Sequence, residues 1–182
     1  MAHKSRRVGI FAGTFDPVHN GHIAFAQAAL HDCALDTIVF LPEARPRHKP
    51  WASPLVHRVA MLQLACAGWP QFEVRVCDEP QFSVAITLGA LQREYGRDLT
   101  LLLGSDTAAN VVKWPHADRL FSEVEFAIGR RNGVIVGIPG RATYITTQFE
   151  GMSATRVRAD HSEAINPQVQ QYIRNHNLYY ND

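Results

Sequence analysis

The sequence has no long hydrophobic run. Its longest apolar stretches fall short of the roughly 18 residues that a membrane-spanning helix requires. The first residues, MAHKSRRVGIF, are partly basic but contain no extended apolar region that leads to a small-residue cleavage site. We therefore expect neither a membrane anchor nor an export signal, and no membrane partner.

The sequence also lacks an excess of charge of either sign. The 18 Lys and Arg residues are balanced by 17 Asp and Glu residues, for a net charge of +1. A protein that binds long nucleic acid without sequence preference carries a broad basic surface, which this balance does not provide. The composition thus predicts no nucleic-acid partner, while a small charged ligand at a local site stays open.

Cysteine is scarce. The three cysteines, Cys33, Cys66 and Cys77, are odd in number, scattered and set in apolar surroundings. That pattern fits reduced, buried thiols better than a disulfide framework or a metal knuckle. We therefore predict a reducing, cytoplasmic location.

Short apolar or β-branched runs alternate along the chain with segments whose apolar residues recur every three or four positions. The runs predict strands at 6–12, 36–42, 72–78, 98–104, 124–130 and, more weakly, 142–147. The spaced segments predict helices at 20–33, 54–67, 83–95, 105–121, 152–159 and 166–179. This alternation predicts a single α/β domain over residues 1–182, with a doubly wound, mostly parallel sheet and C-terminal helices.

Polar loops follow the predicted strands, and ligands bind beyond the carboxyl ends of strands in such sheets. The loops read GTFDPVHNGH, EARPRHKP, EPQFS and GSD after the first four strands. The first loop is glycine-rich, but it matches neither the GxxxxGK[ST] phosphate loop nor the GxGxxG dinucleotide fingerprint. Any phosphate binding there must use other groups.

His19 and His22 lie three positions apart where the first strand meets the first helix. With Asn20 as the predicted N-cap, the helix would direct its free N–H groups and the positive end of its dipole into the crevice. Gly13 and Gly21 would allow close backbone approach, and both imidazoles can donate to an anion. The pair predicts an anion site, the alternative being that one histidine caps and the other packs. Zinc is disfavoured because nothing nearby completes its ligand set.

The stretch GTFDPVHNGH resembles the (H/T)xGH nucleotidyltransferase superfamily, whose members transfer a nucleotidyl group from a nucleoside triphosphate. GMSATRVR, at 151–158, is similar to the superfamily's ISSTxIR motif, with Ser153, Thr155 and Arg158 at the matching positions. Hydroxyls at a helix start can bind phosphate, and arginine offers a planar fork to two phosphate oxygens. Alone, the octamer would indicate an ordinary capped surface helix. Two motifs in the right order favour the resemblance.

Within the superfamily, the chain most resembles the bacterial nicotinate-mononucleotide adenylyltransferase family. The match covers nearly the whole chain and rests on RHKP (47–50), HR (57–58), MLQLA (61–65), GSD (104–106), KW (113–114) and VQQYIRNHNLY (169–179). One segment departs from the family. FSVAITLGAL, at 82–91, keeps Ser83, Thr87 and Leu88 of the family's Ser-Tyr-Thr-x-Asp-Thr-Leu segment, but it lacks the Tyr and the Asp and has one residue fewer between the Ser and the Leu. In the family, this segment helps to hold the nicotinate end of the substrate.

The resemblance implies a Rossmann-like nucleotidyltransferase fold and the joining of ATP and nicotinate mononucleotide, a pyridine mononucleotide, with release of pyrophosphate in NAD biosynthesis. It also implies Mg²⁺ that is held mainly by phosphates and water. The implied catalytic residues are His19, His22 and Arg158; the ATP-binding residues are Gly13, Thr14, Phe15, Gly104, Asp106, Ser153 and Thr155; the acceptor-binding residues are Lys49, Thr87 and Trp114.

Several alternatives stay open at the level of sequence. Asp106 could instead cap its helix, Lys49 could be merely solvated, and Trp114 could belong to the core or a helix end. Arg58 and Met61 are assigned to a surface charge and to helix packing. The acceptor could instead be nicotinamide mononucleotide, phosphopantetheine, or a sugar or polyol phosphate with CTP as the donor. A nucleotide-binding module without turnover, and a homo-oligomer, also remain possible.

Overall fold

The computed structural model describes residues 6–47, 49–77, 79–130, 135–148, 152–160 and 164–180. His48 and Gly151, two positions of the matched motifs, lie outside these ranges. In chain order the elements are β1 (Val8–Gly13), α1 (Asn20–Asp32), β2 (Thr37–Pro42), α2 (Leu55–Cys66), β3 (Phe72–Val74), α3 (Thr87–Tyr95), β4 (Leu99–Gly104), α4 (Ser105–Val111), α5 (Ala117–Glu123), β5 (Glu125–Gly129), β6 (Ala142–Ile145), α6 (Ala154–Asp160) and α7 (Pro167–Asn175).

The strands form one parallel sheet in the order β3-β2-β1-β4-β5-β6. The chain starts in the middle, runs to one edge, and returns across β1 to build the other half. The order therefore reverses between β1 and β4, which is where doubly wound sheets open a crevice for ligands. The predicted α/β class with a parallel sheet is confirmed.

Helices cover both faces of the sheet. In β1, Phe11 joins the apolar cluster on one face and Ile10 joins the cluster on the other, because successive strand residues point to opposite sides. Helices α1, α2 and α7 pack on the first face, and α3, α4 and α5 pack on the second. This double burial explains why the central strands read as continuous apolar runs rather than alternating ones.

One predicted strand is shorter in the structure than expected, and one predicted helix is divided into two. The strand expected at 72–78 ends at Val74, although the backbone N–H of Arg75 still donates to the carbonyl of Phe40 in β2, at 3.0 Å. The helix expected at 105–121 is two helices, α4 and α5. Pro115 has no N–H and disfavours a helical conformation in the residue before it, and His116 takes a left-handed φ of 62°.

The cysteines are free thiols. Cys33 and Cys66 are buried, as expected, whereas Cys77 is only half-buried. Burial raises the pKa of Cys66 to about 12, so this thiol is un-ionised and unreactive at neutral pH. No helix in the described ranges is long and apolar enough to cross a membrane.

Gly9 gives a test of how tightly the sheet and its covering layer pack. A Cβ at this position would lie 2.5 Å from Cδ1 of Ile38 and 2.9 Å from Cδ1 of both Leu102 and Leu35. We expect Gly9→Ala to lower the free energy of unfolding by about 1–3 kcal/mol, because the buried side chains must shift. Urea unfolding followed by circular dichroism measures the change.

The matched control is Gly68→Ala, since a Cβ at Gly68 meets nothing within 4 Å. It should leave stability unchanged or raise it by up to about 1 kcal/mol through the unfolded state. Equal unfolding midpoints for the two variants would contradict the packing described for Gly9.

Candidate active site

A cleft of about 330 Å³ opens at the carboxyl ends of β1, β4 and β5, at the reversal of strand order. Its walls are the loop after β1 with the start of α1, the start of α4, the end of β5, and the segment that leads into α6. Most of the predicted site residues line it: Gly13, Thr14, Phe15, His19, His22, Lys49, Gly104, Asp106 and Ser153. Residues far apart in sequence thus meet in one cavity.

The two histidines stack against each other, with ring centroids 3.7 Å apart and planes 27° apart. His19, rather than the predicted Asn20, is the N-cap of α1, and its backbone N–H donates to Nδ1 of His22 at 3.2 Å. Asn20 is instead the first helical residue, and its N–H donates to the carbonyl of Ala164. The predicted placement of both rings on one side of the helix start is confirmed.

The environment of His22 determines its protonation state. Burial lowers the pKa of His22 well below its ordinary value, and the nearby His19 and Lys49 lower it further. The ring is therefore neutral at pH 7. Because Nδ1 accepts a hydrogen bond, the single proton of the neutral ring lies on Nε2. His22 thus offers one N–H donor from a fixed ring.

The loop after β1 buries the side chain of Phe15, and its backbone lines the cleft. Phe15 has a left-handed φ of 52°, which is uncommon for a bulky residue, and its ring packs edge-on against Phe11 and against His22. A Cβ at Gly13 would lie 3.1 Å from the ring of Phe15, so glycine lets the ring fold back over the strand end. The backbone of the loop is left to line the cleft.

Arg58 is buried, being only 1% exposed, so the prediction of a surface charge is wrong. Its Nη1 donates to the carbonyls of Thr14 and Glu43, at 2.8 and 2.9 Å, and its Nε donates to the carbonyl of Ser53, at 2.8 Å. Its Nη2 reaches the carbonyl of Ala44 at 3.3 Å. One guanidinium therefore ties together the loops that follow β1 and β2 and the turn before α2.

The spacing of α2 could have indicated this burial. Arg58 lies three residues after Leu55 and three before Met61, within the apolar stripe that faces the core. Met61 is fully buried, which confirms its assignment to helix packing. Burial lowers the pKa of Arg58, and the nearby Asp16 opposes that shift.

Asp16, which the sequence analysis did not select, joins the end of the chain to the same loop. It is 4% exposed, and its carboxylate accepts from the hydroxyl of Tyr179, at 2.5 Å, and from the backbone N–H of Ser53, at 3.1 Å. Its carbonyl accepts from Nη1 of Arg158 at 2.6 Å. Burial and this carboxylate raise the pKa of Tyr179, which stays a donor at neutral pH.

Two members of the second motif do not line the cleft. Nη1 of Arg158 donates to the backbone carbonyl of Asp16, and its Nη2 lies 3.4 Å from Oγ1 of Thr155. Thr155 itself is exposed. Ser153 does line the cleft and caps α6, since its Oγ accepts from the backbone N–H of Arg156 at 3.3 Å. Of these three motif residues, Ser153 therefore lines the cleft, whereas Thr155 and Arg158 do not.

The predicted acceptor-binding residues are also divided. Lys49 is exposed at the rim of the cleft, where its Nζ donates to Oγ1 of Thr14 at 3.2 Å. Thr87 is fully buried, and its Oγ1 accepts from the backbone N–H of Ser83, so its side chain fixes the turn before α3. Trp114 packs beside Phe82 against the second core cluster.

Gly104, not Asp106, is the N-cap of α4. The carboxylate of Asp106 lies in the first helical turn, where the helix dipole favours a negative charge, and it is exposed to the cleft. The alternative that Asp106 caps its helix is therefore wrong.

Comparisons with known proteins show the family of this chain. The family model described as Cytidylyltransferase-like matches residues 10–160. A protein of Neisseria gonorrhoeae, named a probable nicotinate-nucleotide adenylyltransferase, is 32% identical over 96% of this chain and 98% of its own length. The chain belongs to the nicotinate-nucleotide adenylyltransferase family. Members of this family are nucleotidyltransferases, so the predicted enzyme class is confirmed.

Other relatives extend the comparison. A protein of Thermomicrobium roseum with the same name is 30% identical over 95% of this chain and 91% of its own length. The Plasmodium falciparum nicotinic acid mononucleotide adenylyltransferase, solved with NaAD, has a TM-score of 0.79 over 96% of this chain and 97% of its own. At 17% identity, that likeness shows that the Rossmann-like fold is shared.

Arg58→Met tests the buried guanidinium. The substitution keeps the approximate volume but leaves the carbonyls of Thr14, Glu43 and Ser53 without this donor. We expect the free energy of unfolding to fall by about 3 kcal/mol, since each buried unsatisfied acceptor costs about 1–3 kcal/mol and some gain water. Urea unfolding measures the loss.

Arg93→Met is the control, because Arg93 lies on the exposed face of α3. It should change stability by less than about 0.5 kcal/mol. If Arg58→Met were as stable as this control, Arg58 would not be holding the loops.

Proposed function

We propose that this protein transfers the adenylyl group of ATP to nicotinate mononucleotide, giving nicotinate adenine dinucleotide and pyrophosphate in NAD biosynthesis. The observation that carries the proposal is the stacked histidine pair, which shares one cleft with Ser153 and with the Gly104–Asp106 loop. The family membership of the chain supports the same reaction. We place the enzyme in the cytoplasm.

The chemistry requires no protein nucleophile. The 5′-phosphate of the acceptor is already ionised, and one of its oxygens attacks the α-phosphorus while the bond to the β-phosphate oxygen breaks. Pyrophosphate leaves with that electron pair. Catalysis then consists of aligning two polyanions and stabilising the charge that develops on the α-phosphoryl oxygens and the leaving group.

The two histidines act on the α-phosphate side of this reaction. Nε2–H of His22 donates to an α-phosphoryl oxygen as its charge grows, and His19 contacts the triphosphate beside it. The hydrogen bond to Nδ1 of His22 holds the ring before ATP arrives, so little reorganisation is needed in the transition state. His22 thus works as a neutral donor rather than as a fixed cation.

The remaining ATP contacts follow from the lining of the cleft. Ser153 offers its hydroxyl to the outer phosphates, the backbone of Gly13, Thr14, Phe15 and Gly104 lines the nucleotide, and Asp106 accepts from ribose hydroxyls. Direct phosphate contact by Thr155 and Arg158 stays a prediction, because neither lines the cleft. In the structure, Nη1 of Arg158 donates to the carbonyl of Asp16 instead.

The acceptor phosphate is assigned to the side of Lys49. This lysine lines both the main cleft and a neighbouring cavity of about 440 Å³ that Arg45, Arg47 and Arg58 also line. A mononucleotide phosphate placed between the two cavities would meet several cations. Trp114 and Thr87 lie farther along the α3 and α4 side of the sheet and are proposed to shape the pyridine end through their packing.

We also propose Mg²⁺ as the ion that accompanies ATP. Among the described residues that line the cleft, Asp106 is the only carboxylate, and the other polar groups are imidazoles, hydroxyls, two cationic side chains and backbone groups, which suit phosphate oxygens better than a hard cation. The metal would therefore be held mainly by the phosphates and by water, and it would neutralise the charge of the leaving pyrophosphate.

His22→Ala should slow adenylyl transfer by a factor on the order of 10² or more, the effect of losing one preorganised donor at developing charge. The rate of pyrophosphate release at saturating substrates measures it, and the unfolding midpoint shows whether the fold is intact. His31→Ala is the control, since His31 lies in the same helix with its side chain 91% exposed. Near-normal turnover by His22→Ala would refute the assignment.

An acceptor panel tests the substrate. The protein is incubated with ATP, Mg²⁺ and, in turn, nicotinate mononucleotide, nicotinamide mononucleotide, phosphopantetheine or no acceptor, and pyrophosphate is measured. We expect release to be fastest with nicotinate mononucleotide. A signal no higher than the control without acceptor would overturn the proposed substrate. ATP binding without release for any acceptor would indicate a nucleotide-binding module.

A further inference from the structure

We propose that Arg130 binds the outer phosphates of ATP and the departing pyrophosphate. This inference rests on the proposed function of the cleft as an ATP site. In the sequence, Arg130 is the last residue of a predicted strand, and no motif of the family resemblance includes it.

The position of Arg130 is set by the sheet. It directly follows β5, which lies between β4 and β6, and its backbone N–H donates to the carbonyl of Ile145 at 2.8 Å. This hydrogen bond anchors its backbone at the carboxyl edge of the sheet. From there Arg130 lines the main cleft together with Ser153, which lies beyond β6 on the same side.

Arg130 is one of two cationic side chains that line the cleft in the described part of the chain, and the two lie on different sides of it. Across the described part of the chain, the lining residues with a permanent positive charge are Lys49 and Arg130. Lys49 follows β2 and lies beside Thr14, whereas Arg130 follows β5. The two cations therefore approach from opposite halves of the sheet. A polyanion that spans the cleft can meet both, with the acceptor phosphate near Lys49 and the triphosphate end near Arg130.

The hydrogen bonding of Arg130 is incomplete within the described residues. Its Nε is buried and has no hydrogen-bond partner among them. Buried donors are rarely left unpaired, and a bound ion or water that supplies the acceptor is one explanation for such a group. A phosphate oxygen is the strongest acceptor that the proposed substrates bring, and the arginine fork can bind two such oxygens at once.

Arg158, the arginine selected from the motif, does not compete for this role in the structure. Its guanidinium donates to the carbonyl of Asp16 and lies against a separate small cavity next to Tyr179. The arginine that faces the cleft is therefore Arg130. We infer that the chain holds its triphosphate between the start of α1, Ser153 and this guanidinium.

The test compares Arg130→Gln and Arg130→Lys with the wild-type enzyme. Titration calorimetry measures the dissociation constants of ATP with Mg²⁺ and of inorganic pyrophosphate with Mg²⁺, without an acceptor. We expect Arg130→Gln to weaken both by about 10-fold or more, the loss of a charge-assisted contact. Arg130→Lys should weaken both by less, because it keeps the charge but not the fork. The KM for nicotinate mononucleotide should change by less than about 2-fold.

Arg141→Gln is the matched control. Arg141 precedes β6 at the amino edge of the sheet, where its side chain is 85% exposed and pairs with Glu125 at 3.2 Å. The Arg141→Gln variant loses the same charge at a position away from the cleft, and we expect it to bind both ligands like the wild type. Unfolding midpoints for all variants separate a binding defect from a folding defect, and Arg130→Lys provides the test if Arg130→Gln is unfolded.

Each outcome decides the proposal. Unchanged binding of ATP and pyrophosphate by Arg130→Gln would overturn it. Weaker ATP binding with unchanged pyrophosphate binding would also overturn it, because Arg130 would then contact the base or ribose. A failure of the proposed reaction is seen separately, as absence of turnover by the wild type with every acceptor, and the two binding measurements would still report on Arg130.

Discussion

Arg58 donates hydrogen bonds to the carbonyl groups of three loop segments from a position that is almost completely buried. A buried cation without partners would be very costly, so the carbonyl dipoles and the nearby Asp16 are a condition of its burial. These hydrogen bonds hold the backbone of Thr14 at the cleft, and they hold the segment before α2 next to Thr14. The arrangement of these loop segments beside the cleft depends on this one guanidinium.

Asp16 adds hydrogen bonds that join the loop after β1 to later parts of the chain. Through its carboxylate it holds Ser53 and Tyr179, and through its carbonyl it holds Arg158 of α6. The loop that carries His19 and His22 is therefore fixed from α2, α6 and the tail after α7. Such support is what lets a site act by placing donors in advance rather than by moving them.

The fold could be predicted largely from the sequence, because both faces of the sheet are buried and the resulting apolar runs are unmistakable. The single helix predicted at 105–121 was wrong, although Pro115 itself signals a break there. The burial of Arg58 was harder to see, since charged residues are usually exposed, although its place in the apolar stripe of α2 pointed to it.

The sequence predicted which residues lie near the candidate site better than it predicted which of their side chains face the cleft. His19, His22 and Ser153 lie where the motifs place them, at strand ends and helix starts. Thr155 and Arg158 follow on a helix whose rotation determines which side chains face the cleft, and a motif does not specify that rotation. Arg130 carries no motif at all, so only its place at the strand end and its buried Nε distinguish it.

The contact between Asp16 and Tyr179 joins residues that are 163 positions apart. During translation, the loop that carries the histidines leaves the ribosome long before its tyrosine partner is made. The Asp16 carboxylate therefore acquires its hydrogen bond from Tyr179 only after all six strands of the sheet have been synthesised.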